Sequence, residues 1–307
     1  GGMAEVFKTD AVRTYNAGPV AGLMGSYYVG LSLGYRNIIA SDVGGTSFDI
    51  GLVVEQNVRN YEFRPIIDRW MVGITMLQTL SIGAGGGSIA WINEQLNKLE
   101  VGPQSAGSYP GPVCYDLGGT EPTVTDADLV LGYLNPRYYY GGRMRLNVRK
   151  AQNAIKEKIA EPLGLDVIES AHLVRKVVDS NMGAAIRKEI HLRGYNPNDF
   201  VVFAYGGGGP THVTGYMEDV PEAVIFPFSP VFSALGSSVM DIVHIYELSK
   251  RFMLMEPITK QFTTNYEEFN QAVESLMERA KKELEGEGLP VEEAVFSLEL
   301  DMLYGGQ

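Results

Sequence analysis

Cysteine is almost missing: Cys114 is the only one among 307 residues. That excludes an internal disulfide framework and a Cys-rich zinc site, and it makes a reducing compartment, the cytoplasm, the expected setting. Histidine is scarce as well. His172, His191, His212 and His244 show no HxH or HExxH spacing, so a zinc site built by this chain alone is not expected. Positive charge is short, with 25 Lys and Arg against 37 Asp and Glu for a net charge of −12. Like charge repels a polyphosphate backbone, so nucleic acid is not an expected partner. No basic, apolar, small-residue leader pattern opens the sequence given. The one uncharged run long enough to approach a bilayer's thickness, residues 16–35, contains Pro19 and the glycines 18, 22, 25, 30 and 34. Small residues four apart suit close helix contact in a protein core, so a buried helix, not a membrane span, is expected there.

What is present is a globular composition, 45% hydrophobic and 20% charged, with an excess of glycine at 36 residues that falls into short clusters. Two β-rich runs, 37–41 and 48–55, flank the turn 42–47 and read as a hairpin, and 58–64 offers a third strand. Residues 81–88 form a glycine-dense loop expected to lead into a short helix over 89–99; 102–123 is too rich in proline and glycine for regular structure. Asp166 followed by Glu169 starts a helix with Ile168, Ala171, Val174, Val178, Met182, Ala185, Ile186 and Ile190 on its apolar stripe, ended by Gly194. Residues 200–205 are a short apolar strand running into Gly206-Gly207-Gly208-Gly209-Pro210, with a helix from Thr211. A buried strand over 223–226, a helix over 233–246, an amphipathic helix over 265–285 and a half-buried strand over 296–304 complete the reading.

Chemistry concentrates in the glycine clusters. In DVGGTSFD, Gly44 and Gly45 let backbone N–H groups approach a phosphate, and Thr46 and Ser47 add hydroxyl donors. Asp42 is placed to hold Mg²⁺ through water or to orient an attacking group, with Asp49 at the other end of the turn. The plain alternative is a hairpin turn whose Asp and Gly serve left-handed backbone. Gly206, Gly207, Gly208 and Gly209 leave naked backbone against which an adenosine could pack, the alternative being a flexible loop. The cluster 83–88 has no spacing rule of its own. In residues 123–128 a helix cap with Asp126 at the N-terminus is the preferred reading. Cys114 lacks a neighbour that would activate it, His191 belongs to a helix end, and His212 is the histidine best placed to face a ligand.

These motifs carry a resemblance. DVGGTSFDIGLV is similar to the second phosphate loop of the actin, sugar kinase and chaperone ATPase superfamily, and VFAYGGGGPTHV resembles its adenosine loop, in the same order. More narrowly, NAGPVAG (16–22), SIGAGGGSIAW (81–91), the block 102–134, YGGGGPTH (205–212) and FSALGSSVMD (232–241) resemble the hydantoinase A, 5-oxoprolinase and acetone carboxylase family. Relatives of hydantoinase type often carry Asp and His where this chain has Gln78, Thr79 and Leu80, and many read CYGRGG where this chain has residues 114–119 as CYDLGG. PRYYYGG (136–142) is similar to the acetone or acetophenone carboxylase branch, with the acetone carboxylase β subunit the nearer likeness.

The resemblance implies an α/β, actin-like (ribonuclease H-like) ATPase fold, present as an incomplete half with a family-specific insertion. Residues 1–307 would be the central ATPase domain of a longer polypeptide, 81–145 its Gly/Pro-rich insertion and 195–250 its adenosine-loop region. ATP and Mg²⁺ are the implied cofactors, with Asp42 the metal residue, Asp42 and Asp49 the catalytic pair, Gly44–Ser47 on the phosphates and Gly206–Gly209 on the adenosine. The implied activity is a carboxylase subunit that phosphorylates a small ketone or bicarbonate, inside a hetero-oligomer in which a partner subunit carries a transition metal. The alternatives are an ATP-dependent cyclic amidase of hydantoinase or 5-oxoprolinase type and a non-catalytic, nucleotide-switched scaffold.

Overall fold

A computed structural model describes residues 11–58, 61–62, 65–73, 76–300 and 302. It divides into one unit running through Asp241 and a second from Ile242 onward.

The first unit is organised around five strands. β1 (Ile38–Val43) and β2 (Phe48–Val53) are the expected hairpin; β3 is Leu80–Ile82, and β4 (Ser88–Asn93) and β5 (Lys98–Ser105) form a second hairpin. β6 (Val201–Tyr205) and β7 (Glu222–Ile225) close the series, and the main sheet has the order β7-β6-β1-β2-β3. β1 runs parallel to β6 and antiparallel to β2, with Asp42 opposite Tyr205 on one side and Asp49 on the other. β6, and β1 through Ala40, are apolar on both faces because both faces are covered.

Seven α-helices longer than a turn accompany the sheets among the described residues: α1 (Ala17–Leu33), α2 (Val124–Val130), α3 (Val148–Ile155), α4 (Val167–Leu192), α5 (Gly209–Tyr216), α6 (Phe232–Val239) and α7 (Tyr266–Gly286). Leu23 of α1 and Phe232 of α6 pack with Ile38, Ala40, Val201, Phe203 and Tyr205 on one face of the sheet. Val174, Val178, Met182 and Ile186 of α4 and Val213 and Tyr216 of α5 pack with Ile39, Val43, Phe48 and Val202 on the other. The strand alternation alone produces this division.

The uncharged run is indeed the buried helix α1, and its glycines have a packing reason. Gly25 faces Gly236 and Phe232, and a methyl on Gly236 would overlap the Ala21 carbonyl, so α1 and α6 meet backbone to backbone. Gly34, left-handed at φ +81°, stops the helix. No described helix is long and apolar enough to cross a membrane. α4 starts at the expected capping box, where Asp166 accepts the Glu169 amide at 2.8 Å, and its stripe is buried except for Ile168, which is 52% exposed.

Several expectations are corrected. Residues 89–99 are a hairpin, not a helix: Ile89, Trp91 and Ile92 are strand formers, and the chain turns through left-handed Asn97 before β5. β5 also takes up the first residues of the stretch expected to be irregular. The third strand is reduced to Tyr61–Glu62 among the described residues of 58–64. β7 is an edge strand with Ile225 half exposed, and α6 stops at Val239 instead of continuing to 246.

In the second unit α7 is capped by Asn265, whose side chain accepts the Glu268 amide at 3.2 Å. Residues 294–300 form no strand, although they alternate; a strand needs a hydrogen-bonded neighbour, and none pairs with them among the described residues. Asp301, Leu303 and Tyr304 of that expected strand lie outside the described residues.

Candidate functional site

Parallel pairing of β1 and β6 delivers the two main glycine motifs to one end of the sheet, at the carboxyl ends of both strands, where open α/β sheets bind ligands. Asp42 and Asp49 face each other across the β1–β2 ladder. Gly45 and Thr46 form the tip of the hairpin, which closes through Gly44 N–H to the Ser47 carbonyl at 3.0 Å. Neither Gly44 nor Gly45 is left-handed, so the turn-conformation alternative does not explain them. A methyl on Gly45 would meet open space, and the Gly45 and Thr46 amides donate to no described group. The tip is therefore bare backbone with N–H groups free to take an anion.

The second motif is ordered, not a flexible loop. Gly206 donates to the Ser229 carbonyl at 2.9 Å, Gly208 donates to the Val43 carbonyl at 2.9 Å, and Gly208 caps α5. Gly206 is left-handed at φ +78°, and a methyl there would overlap the Asp42 carboxylate. Gly208 and Gly209 pack tightly on Val43 and Ala204, whereas Gly207 has open space around it. Three of the four glycines thus serve the fold, and Gly207 offers backbone outward.

Asp42 accepts a hydrogen bond from Ser233 Oγ at 3.0 Å, and Ser47 Oγ donates to Asp49 at 2.9 Å. No lysine or arginine pairs with either carboxylate among the described residues. Burial pushes the Asp42 pKa up, Ser233 opposes the rise and the neighbouring Asp49 charge adds to it. Two half-buried carboxylates without a cation make an oxygen-only donor pair of the kind Mg²⁺ takes alongside waters and phosphates. No group of three or more His, Cys, Asp or Glu forms a metal cage among the described residues.

The cluster 83–88 has a role that its spacing did not reveal. Gly86 and Gly87 amides donate to the carbonyls of Gly44 at 3.0 Å and Gly45 at 2.6 Å, and the Thr125 hydroxyl and amide both donate to the Gly86 carbonyl at 2.7 Å. The cluster clasps the back of the hairpin tip and ties it to α2. A side chain at Gly85 would strike Gly44 O, so glycine there permits the clasp. The expected cap is a capping box in which Thr123 is the N-cap and Asp126, fully buried in the first turn of α2, accepts from the Thr123 amide at 2.9 Å and also from the Cys114 amide at 2.7 Å. Burial pushes the Cys114 thiol well above its ordinary range, in keeping with an inert cysteine.

His212 does not face a ligand. It is 1% exposed, with Nδ1 2.6 Å from Asp179 and Nε2 3.0 Å from Asp128. Arg175 bonds Asp128 at 2.7 Å, approaches Asp179 at 3.5 Å and lies under the Tyr133 ring at 4.0 Å. Burial opposes the imidazolium, but the two carboxylates outweigh it and lift His212 to about 9. Sequence reasoning missed this network and Ser233; the one local signal was Arg175 and Asp179 four apart on α4. A depression at the opposite end of the sheet is lined by Tyr35, Arg36, Glu55 and Glu222. Its polar groups already pair, Arg36 with Glu55 and Tyr35 with Glu222.

The sequence pattern of the family described as hydantoinase/oxoprolinase matches residues 1–246. The chain is 64% identical over its whole length to the acetophenone carboxylase gamma subunit of Aromatoleum aromaticum, of which it covers 42%. It is 37% identical over 99% of its length to caprolactamase subunit alpha of Pseudomonas jessenii, covering 44% of that chain. It is 39% identical over 81% of its length to the acetone carboxylase beta subunit of Xanthobacter autotrophicus, covering 35%. The chain therefore spans less than half the length of these relatives. Among solved structures, the ATP-dependent caprolactamase from P. jessenii aligns with 90% of the chain and 39% of its own, at TM-score 0.78 and 38% identity. A nucleotide-free acetone carboxylase aligns with 73% of the chain and 32% of its own, at TM-score 0.69 and 37% identity. With its mixed, helix-covered sheet, the chain has the α/β, actin-like ATPase type of fold and belongs to the hydantoinase/oxoprolinase family of enzymes.

Proposed function

We propose that this chain is the ATP-binding portion of a subunit of an ATP-dependent ketone carboxylase, acting in the cytoplasm with other subunits, one of which carries a transition metal. The observation that carries the reading is the pair Asp42 and Asp49, left without a cation beneath a bare hairpin tip and beside Gly207. Asp42 and Asp49 would hold Mg²⁺ through its waters, and the Gly45 and Thr46 amides with the Thr46 hydroxyl would hold phosphates, while the Ser47 hydroxyl stays on Asp49. Gly207 would leave its backbone open to the adenosine. Ser233 fixes the Asp42 carboxylate, and the clasp from Gly86 and Gly87 keeps the tip from yielding, so the chain's contribution is positioning and charge compensation. MgATP, when bound, supplies the phosphoryl group that makes a ketone enolate oxygen or bicarbonate reactive. An aryl methyl ketone of acetophenone type is the preferred substrate, on the 64% identity to the acetophenone carboxylase subunit, ahead of acetone.

A second reading, an ATP-dependent cyclic amidase, is favoured by the caprolactamase likeness over 90% of the chain. Against it, Gln78, Thr79 and Leu80 offer no acid or imidazole, and Thr79 is engaged by Asn16 at 3.3 Å. The test is nucleotide-product analysis of the complete native assembly with MgATP and bicarbonate, adding acetophenone, acetone, caprolactam or 5-oxoproline in turn. ATP use that requires a ketone and bicarbonate is expected. ATP use that requires a cyclic amide overturns the carboxylase reading.

A further inference from the structure

Between Asp128 and Glu157 there is no Asp or Glu, yet Arg137, Arg143, Arg145, Arg149, Lys150 and Lys156 all fall there, in a chain whose net charge is −12. Lys150 pairs with Asp116 and Lys156 lies 3.9 Å from Glu161. Arg137, Arg143 and Arg145 are exposed and have no carboxylate partner among the described residues.

The loop that carries them is firmly built. Tyr139, Met144 and Leu146 turn inward onto Cys114, Leu129 and Ala151, and the Tyr139 hydroxyl lies 2.9 Å from that of Tyr115. The Tyr139 carbonyl accepts from Gly142 at 3.0 Å and Met144 at 3.3 Å, and Leu146 N–H donates to Pro136 at 2.9 Å. With those three pointing in, Arg137, Tyr138, Tyr140, Arg143 and Arg145 point out; Tyr138 and Tyr140 are each 70% exposed, and the Arg143 guanidinium lies 5.6 Å from the Tyr140 ring centre. Tyrosine and arginine, exposed here on a loop anchored by its inward-facing neighbours, are among the residue types that dominate protein–protein binding energy. Arginine's fork fits carboxylates two bonds at a time.

We infer that the face formed by Arg137, Tyr138, Tyr140, Arg143 and Arg145 is a docking surface for an acidic face of another protein subunit. This rests on the reading above only in that the chain works in a multi-subunit assembly. The overall −12 charge disfavours nucleic acid at the same face.

The test uses the full-length polypeptide in its complete native assembly and compares wild type with Arg143→Glu/Arg145→Glu. Arg143→Gln/Arg145→Gln serves as a milder variant, and Lys176→Glu/Lys188→Glu as a control with equal charge change on the exposed face of α4. Mass photometry across a dilution and salt series reads the assembly. The expected result is a dissociation midpoint raised at least tenfold in concentration for the Glu variant, less for the Gln variant, and unchanged for the control, with salt weakening wild type most. Equal midpoints in all four overturn the proposal, as does a wild-type chain that sediments alone. Titration with tRNA and duplex DNA is the remaining arm: nucleic-acid binding lost in the Glu variant would also overturn it. ATP use by the same preparations is measured in parallel, so that a docking surface without ketone-dependent ATP use would sink the carboxylase reading while leaving this one standing.

Discussion

Two pairs of aspartates in the first unit meet opposite fates. Asp128 and Asp179 are buried with Arg175 and His212 between them, so that two negative and two positive groups cancel. Asp42 and Asp49, across the β1–β2 ladder, have only hydroxyls for partners, Ser233 and Ser47. The first pair joins α2, α4 and α5; the second stands at the open end of the sheet under unpaired backbone amides. A buried charge with all partners present is structure, because removing one partner strands the others. Burial of Asp42 without a cation opposes its ionised form, and under the proposed reading the carboxylate pair stands where an incoming cation would use it.

The largest effect that would break this comparison is removal of His212. His212→Ala strands two buried carboxylates against one arginine, and urea denaturation is expected to show a loss of about 3–5 kcal/mol. Next comes pH. His212 is raised from 6.5 in the unfolded chain to about 9 in the fold, so its contribution is complete below pH 6.5 and disappears as pH rises through 9. The shift corresponds to about 3 kcal/mol. Denaturation midpoints measured from pH 6 to 10 should fall over that window, and in His212→Asn this part of the fall should vanish. Gly206→Ala is expected to cost about 2 kcal/mol, since left-handed backbone and the Asp42 carboxylate both oppose a methyl there. Gly45→Ala, facing open space, should change stability by less than about 0.5 kcal/mol. Its nucleotide affinity, read by calorimetry on the assembled enzyme, should nonetheless fall severalfold. A destabilised Gly45→Ala with normal affinity would reverse the roles assigned to the two glycine motifs.

The parts of the fold legible in the sequence were those with local causes. The Asp166–Glu169 capping box, the left-handed glycine at Gly194 and the hairpin around DVGGTSFD stand where their residues predict, and the strand–glycine–helix passage at Tyr205 does so with its helix beginning at Gly209, two residues before the expected Thr211. Long-range causes were not legible. Whether this segment joins a helix or a strand is decided by pairing, of Trp91 and Ile92 with β5 and of Ile89 with Thr123, and the alternation over 296–300 could not reveal that it lacks a neighbour among the described residues. In the candidate site, Asp42, Asp49 and both glycine motifs could be named from spacing, but their meeting depends on the β1–β6 register, with more than 150 residues between the strands. His212 was misread because its two carboxylates come from helices distant in sequence.

Under the proposed reading Asp42 serves binding at the expense of stability, and Asp42→Asn tests this most directly in the complete assembly, by thermal denaturation and ketone-dependent ATP consumption side by side. Burial and the Asp49 charge raise the Asp42 pKa, so above the unfolded carboxylate range the ionised group opposes folding. The amide should therefore leave the melting temperature unchanged or higher while ATP consumption is abolished. Retained ATP consumption, or a melting temperature that drops as it does for His212→Ala, would contradict the account.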